Sequence, residues 1–252
     1  MNWTITGAED DKRYSRQVMM LGQEGQECLR QARVLVAGAG GLGSVIAFYL
    51  AAAGIGFIRL VDHDRVDASN LNRQILHWTG DVDRPKTVSA EEKLRALNPY
   101  VQVETQGGTL DERSAPDMTR DVGLIVDAMD NFPTRYLLNR AAVARAIPFF
   151  HGAVRGFYGQ VTTILPGKSA CLRCIFPEGP PRETFPIVGA TCGVIGSIQV
   201  TEVIKYLTGK GNLLLNKLLI WDGLRGDIDG IDTFRNPDCS DCGQSSVGGW
   251  RT

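Results

Sequence analysis

Arg33-Val34-Leu35-Val36-Ala37-Gly38-Ala39-Gly40-Gly41-Leu42-Gly43-Ser44 decides the fold of this chain. Val34 to Val36 form an apolar run too short for a helix, so they read as a buried strand. Gly38, Gly40 and Gly43 follow in G-x-G-x-x-G spacing and open a helix from about Leu42 to Ala53. Val45, Ile46, Phe48, Tyr49 and Leu50 leave that helix almost no polar face, so it is expected inside the protein. Gly54 and Gly56 end it, and Phe57 to Val61 make a second strand that stops at Asp62. Strand, glycine turn, helix, strand and terminal carboxylate make a nucleotide-binding β-α-β unit. The glycines let the backbone approach phosphate, the helix N-terminus favours negative charge, and Asp62 stands where a ribose hydroxyl is met.

Downstream, Lys86 opens a helix behind Arg84-Pro85, and Asn98-Pro99 stops it after Leu97. Val101 to Thr105 reads as a third strand, and Asp111 to Arg120 is weakly helical. Gly123 to Ala128 is apolar enough to be a central parallel strand. It ends at Met129-Asp130-Asn131, at the carboxyl edge where open α/β sheets bind ligands. Thr134 to Ala146 reads as a helix and Ile147 to Ala153 as a fifth strand. From Tyr158 to Leu165 the pattern becomes that of an antiparallel hairpin. Pro177, Pro180, Pro181 and Pro186 mark an extended crossover loop, placed at residues 175–191. Gly193 to Leu207 reads as an amphipathic helix, followed by strands at Leu218 to Trp221 and Ile231 to Phe234. The fold expected is α/β: a Rossmann-like, doubly wound, mainly parallel sheet with antiparallel additions. One domain is expected over 1–252, with an N-terminal helical segment at 1–32, a nucleotide-binding half at 33–153, a second half at 154–244 and a flexible tail at 245–252.

The chain has 252 residues, a formal net charge of −1 and 22% charged residues. That balance gives no reason to expect nucleic-acid or membrane partners, and no apolar run approaches the roughly 20 residues of a membrane span. With no leader pattern at its start, the cytoplasm is the expected location. Four of the six cysteines, Cys171, Cys174, Cys239 and Cys242, form two Cys-x-x-Cys pairs. In such a compartment this favours a structural tetrathiolate zinc site over disulfides.

Asn70, Arg73 and Gln74 lie within one turn of one another, and Asp62, Asn70, Arg73, Lys86 and Asp130 each sit at or just beyond a strand end or at a helix start. Two cations, an amide and carboxylates around a glycine loop suit a triphosphate better than a nicotinamide: the cations neutralise the phosphorus under attack and a carboxylate holds Mg²⁺.

Arg13-Tyr14-Ser15-Arg16-Gln17, the glycine motif, Asp62, Asn70-Leu71-Asn72-Arg73-Gln74, Lys86, Asp127-Ala128-Met129-Asp130-Asn131, both cysteine pairs and Gly193-Val194-Ile195-Gly196-Ser197 together resemble the ThiF/MoeB/HesA family, bacterial relatives of the ubiquitin-activating E1 enzymes, over roughly residues 10–244. The resemblance implies that the C-terminal Gly-Gly carboxylate of a ubiquitin-like sulfur carrier (MoaD- or ThiS-like) attacks the α-phosphate of ATP. An acyl-adenylate and pyrophosphate result, serving molybdopterin, thiamine or related sulfur transfer. It implies an ATP site of Gly38, Gly40, Gly41, Gly43, Asp62, Asp64, Asn70, Arg73, Gln74, Lys86, Asp130 and Asn131. Within it Asp62 holds the ribose, Asn70, Arg73 and Lys86 contact phosphates, and Asp130 binds Mg²⁺. It implies a homodimer in which Arg16 serves the neighbouring subunit, a carrier-binding second half, and a separate sulfurtransferase as a further partner.

Taken alone, Arg16 reads as part of a solvated helix face. Some members use a crossover-loop cysteine covalently. That position aligns near Arg182 to Thr184, where this chain has none. Cys192 is the remaining candidate nucleophile: a helix N-terminus lowers a thiol pKa, but a small buried residue fits the position as well. Phe157 to Leu165 and the proline loop are the expected carrier-docking wall. Competing readings are an adenylyltransferase acting on a peptide or small-molecule carboxylate, an NAD-dependent oxidoreductase, and a non-catalytic binding module.

Overall fold

The computed structural model describes residues 12–180 and 185–243. The chain opens with α1 (Ser15–Gln31), which bends at Gly22, where φ is +77°. Then come β1 (Arg33–Ala37), α2 (Gly41–Ala53), β2 (Phe57–Val61), α3 (Lys86–Leu97) and β3 (Gln102–Gln106). A one-turn α4 (Ala115–Met118) precedes β4 (Leu124–Asp127), α5 (Phe132–Arg145), β5 (Phe149–Arg155) and β6 (Tyr158–Ile164). The rest is α6 (Leu172–Ile175), α7 (Gly189–Thr208), β7 (Lys217–Asp222) and β8 (Asp227–Asp232).

All eight strands share one sheet in the order β3-β2-β1-β4-β5-β6-β7-β8. The first five run parallel, and β6, β7 and β8 pair antiparallel. The strand order reverses direction between β1 and β4, so a crevice opens at their carboxyl ends. β1, β2 and β4 are buried almost throughout, as the uninterrupted apolar runs predict.

Three close approaches set the helices. A Cβ on Gly43 would fall 1.8 Å from the Gly38 carbonyl oxygen, so the glycine turn closes only without a side chain there. A Cβ on Gly196 would meet Val45 at 2.9 Å, which lets α7 lie directly on α2. Gly152 and Gly159 open the same space beneath Gln199 and Ile195, seating α7 on β5 and β6.

Several sequence-based boundaries move. α7 starts at Gly189 rather than Gly193, so Cys192 lies inside its first turn and the crossover loop ends earlier than residue 191. β5 is displaced to Phe149–Arg155, because Ala146 (φ +52°) turns the chain and Ile147 packs on the core before pairing begins. β8 lies at Asp227–Asp232 instead of Ile231–Phe234. All six of its residues are exposed, and alternating Asp on an outer edge strand hides the strand signal while discouraging edge-to-edge pairing. The expected tail at 245–252 and the positions 182–184 lie outside the described residues. Among the described residues, no helix is long and apolar enough to cross a membrane.

Candidate active site and metal centre

The crevice is built around Gly38, which has φ +107° and lies against the Ala128 carbonyl at the end of β4. Its N–H donates to the Val61 carbonyl at 2.8 Å, pinning the turn between the ends of β1 and β2. The Ala39 N–H donates to Asp62 Oδ2 at 2.7 Å, and the Asp64 N–H to Asp62 Oδ1 at 2.8 Å. Each Asp62 oxygen thus keeps a lone pair for an incoming donor.

Ala68 to Asn70 form a 3-10 turn capped by Asp67. The Asn70 carbonyl accepts from the N–H groups of Arg73 and Gln74 at 3.1 and 3.0 Å, which brings these three residues into one turn. Arg73 Nη1 donates to the Ser69 carbonyl and Asn72 Oδ1, both at 2.9 Å, and its stem lies against Gly41. Gln74 is buried, and its Oε1 has no hydrogen-bond partner among the described residues. Lys86 is 5% exposed, and its Nζ meets Asp64 Oδ2 at 2.8 Å. A buried ammonium needs a counter-charge, and Asp64 supplies it here. Asp130 is exposed at the crevice, with Oδ1 accepting from Asn131 Nδ2 at 3.1 Å. Asn131 Oδ1 in turn caps α5 by accepting the Thr134 N–H at 2.9 Å. This carboxylate keeps Oδ2 without a partner among the described residues, a donor set that fits one edge of a Mg²⁺ shell completed by phosphate and water. Arg16 lies on α1, exposed to solvent.

Of the two readings left open for Cys192, the geometry favours the buried residue. Cys192 is 0% exposed, and burial pushes its thiol up to about 11, with Arg73 pulling the other way. Its Sγ fills the space a Gly41 side chain would take. The position at a helix start is outweighed by desolvation of the thiolate.

His77 and His151, which no ligand spacing singles out in the sequence, each have specific partners. His77 is buried under the glycine turn, with Nε2 3.0 Å from the Ala39 carbonyl oxygen and Nδ1 2.9 Å from Ser89 Oγ. Burial holds it below the usual histidine range, against the Ala39 hydrogen bond and with Lys86 and Lys93 adding to the shift. His151 Nδ1 lies 2.7 Å from Asp127 Oδ2, and Asp127 Oδ1 accepts the Met129 N–H, holding the start of the Asp130 loop. These contacts join residues 38 and 24 positions apart, so no local spacing announces them.

At the opposite end of the sheet, the four cysteines converge. Cys171 Sγ lies 3.8 Å from Cys174 Sγ and 3.6 Å from Cys239 Sγ, and Cys174 Sγ lies 3.4 Å from Cys242 Sγ. Four sulfurs about 2.3 Å from a tetrahedral zinc stand about 3.8 Å apart, so the cluster fits that ion closely. Burial raises the Cys171 thiol and pushes Cys242 up to about 11, so four thiolates packed here call for a divalent cation.

The comparisons with known proteins agree with this geometry. The description of the ThiF family matches residues 14–242. The chain is 42% identical over 256 residues to the sulfur carrier protein adenylyltransferase of Thermus thermophilus, covering 96% of this chain and 93% of that one. It is 42% identical over 243 residues to the SAMP-activating enzyme E1 of Haloferax volcanii, covering 93% and 90%. Among solved structures, MccB of E. coli with its MccA-N7isoASN ligand superposes with a TM-score of 0.84 at 24% identity, over 93% of this chain and 75% of that chain, a likeness of fold. With its glycine turn, Arg73–Lys86 cations and four-cysteine arm on this frame, the chain belongs to the ThiF family.

Proposed function

We propose that this adenylyltransferase activates the C-terminal glycine carboxylate of a ubiquitin-like sulfur carrier with ATP, releasing pyrophosphate. The observation that carries the reading is the convergence of Arg73, Lys86, Asp62 and Asp130 on one glycine turn at the switch point of the sheet. A carboxylate attacking a polyanion meets repulsion, and two fixed cations at the phosphates remove it before in-line displacement. Asp62 takes the ribose hydroxyls and the glycine-turn amides the phosphates. Lys86 exchanges its Asp64 partner for phosphate oxygens. Asp130 would hold Mg²⁺, which would supply positive charge to the phosphates. Cys171, Cys174, Cys239 and Cys242 would hold zinc, tying the carboxyl-terminal arm to the segment after β6.

Carrier recognition belongs to the antiparallel end of the sheet. Of the wall expected from Phe157 to Leu165, most of β6 is buried, and the large apolar groups left exposed are Phe157 and Tyr158. Leu224, Ile228, Ile231 and Phe234 are also exposed on the β7–β8 hairpin and the segment after it. Such exposed apolar groups favour a protein partner. Arg16 shares its helix with Met19 and Met20, exposed by 82% and 71%, which supports a homodimer that buries them and delivers Arg16 to the neighbouring crevice.

The test is ATP–pyrophosphate exchange with and without carriers ending in Gly-Gly. Exchange that requires a carrier and disappears in Asp130→Ala is expected. Exchange with peptides or small carboxylates but no carrier would replace the acceptor, and tight NAD binding without any exchange would overturn the reaction.

A further inference from the structure

The glycine turn is gripped from below by a chain of donors that the adenylylation chemistry does not itself require. A carbonyl oxygen only accepts, so the 3.0 Å contact between His77 Nε2 and the Ala39 oxygen places a proton on Nε2. Nδ1 of the neutral ring then accepts, and Ser89 Oγ at 2.9 Å is the donor. Ser89 Oγ accepts in turn from Lys93 Nζ at 3.1 Å, and Lys93 also donates to Asp81 Oδ2 at 2.5 Å. Asp81 Oδ2 also takes the Trp78 N–H at 2.8 Å, and its Oδ1 takes Arg84 Nη1 at 2.8 Å. From Lys93 the donors run through Ser89 and His77 to the Ala39 carbonyl, Asp81 anchors Lys93 at the far end, and His77 and Ser89 are 3% and 0% exposed.

The consequence for the turn follows from peptide geometry. The Ala39–Gly40 peptide is planar and trans, so its C=O and N–H point in opposite directions. A carbonyl held down onto His77 sends the Gly40 N–H up, away from the core. That N–H has no protein partner among the described residues. Asp62 holds the other side of Ala39 through its N–H. With both sides of Ala39 fixed, the flip of this peptide, to which glycine at position 40 offers little steric resistance, is blocked.

We propose that His77 is a positioning residue for nucleotide binding: its Nε2–H locks the Ala39–Gly40 peptide so that the Gly40 N–H faces the phosphates of the bound nucleotide. This rests on the ATP reading above. His77 touches no substrate and acts only through the peptide it holds.

The experiment compares three replacements in the full-length protein. Glutamine at position 77 sets its amide N–H near the place of Nε2. Asparagine reaches only the place of Nδ1, and phenylalanine keeps the ring volume without a donor. Binding of a non-hydrolysable ATP analogue is measured by calorimetry, and KM for ATP and kcat by carrier-dependent exchange, alongside the melting temperature. His77→Phe and His77→Asn are expected to weaken analogue binding and raise KM for ATP about tenfold, and His77→Gln to stay within about threefold of the wild type. Leu94→Ala, a buried core change that removes no hydrogen-bonding group, serves as the control: it should lower the melting temperature without moving KM for ATP. Equal nucleotide affinity in all three His77 variants would overturn the proposal, as would losses no larger than those of a Leu94→Ala variant equally destabilised. If His77→Phe does not fold, the contrast of Asn with Gln decides, and equal affinities overturn the proposal. A wild-type protein that binds no ATP analogue would instead overturn the ATP reading itself.

Discussion

At the residue scale, the site is a set of charges whose protein partners are the ones a nucleotide would displace or share. Lys86 rests on Asp64, Asp62 holds the glycine turn through Oδ2 and the Asp64 N–H through Oδ1, and Asp130 stands open beside its Asn131 support. Lys86→Ala is expected to cut kcat for exchange by about 10²-fold, the usual loss when a preorganised cation at a developing charge is removed. The change leaves Asp64 beside His63 at the surface and should cost little stability. Cys192→Ala is expected to keep exchange within about threefold of the wild type. Native protein should resist iodoacetamide at Cys192 near pH 8, because a buried thiol held near 11 presents almost no thiolate. Mass spectrometry of the alkylated native and unfolded protein reads this directly, and rapid modification of Cys192 in the native state would contradict the burial.

At the scale of elements, Asp81 organises the turn that delivers Lys86. Burial alone would raise its carboxyl, but Lys93 and the Trp78 N–H outweigh it and hold the group at about 2. The folded value lies below the unfolded value of about 3.9, so the stabilisation is present in full above pH ~4 and is lost as pH falls through about 2. The depression corresponds to about 2 kcal/mol before solvent screening and about 1 kcal/mol after it. Asp81→Asn is therefore expected to lower stability at pH 7 by about 1 kcal/mol. It should also flatten the fall in urea midpoint between pH 4 and pH 2.5, relative to the wild type. An unchanged acid slope would show that Asp81 is not the group responsible.

At the scale of the whole molecule, two long-range ties are expected. A zinc ion at the four-cysteine cluster would join Cys171 and Cys174 to Cys239 and Cys242 across 68 residues of chain in each closest pair. Removal by a strong chelator should lower the melting temperature and loosen the arm to proteolysis, while analogue binding at the distant crevice stays within about threefold. Loss of ATP binding in step with zinc would mean that the two ends of the sheet are coupled. Dimerisation is tested by mixing: Arg16→Ala and Lys86→Ala, each inactive alone, should regain activity together. A mixed dimer that shares Arg16 across the interface carries one site with both lesions and one with neither. No recovery after verified subunit exchange would place Arg16 outside the partner's site.

The sequence alone determined the local grammar. A glycine turn after Val34 to Val36, an acidic residue at the end of the next strand and paired cysteines at Cys-x-x-Cys spacing are short-range patterns, so the parallel core, the crevice at its switch point and the four-cysteine cluster were legible from the sequence. β8 was misplaced because an exposed edge strand has no buried face to impose alternation. The surroundings of the Cys192 thiol were not legible, because a helix start is visible in sequence, whereas the burial that desolvates the thiol comes from packing against Gly41, far away along the chain. The tertiary structure also decided the His77 and Asp127–His151 contacts. Hydrogen-bond partnership depends on which strand ends the sheet order brings together, and that order exists only once the chain has folded.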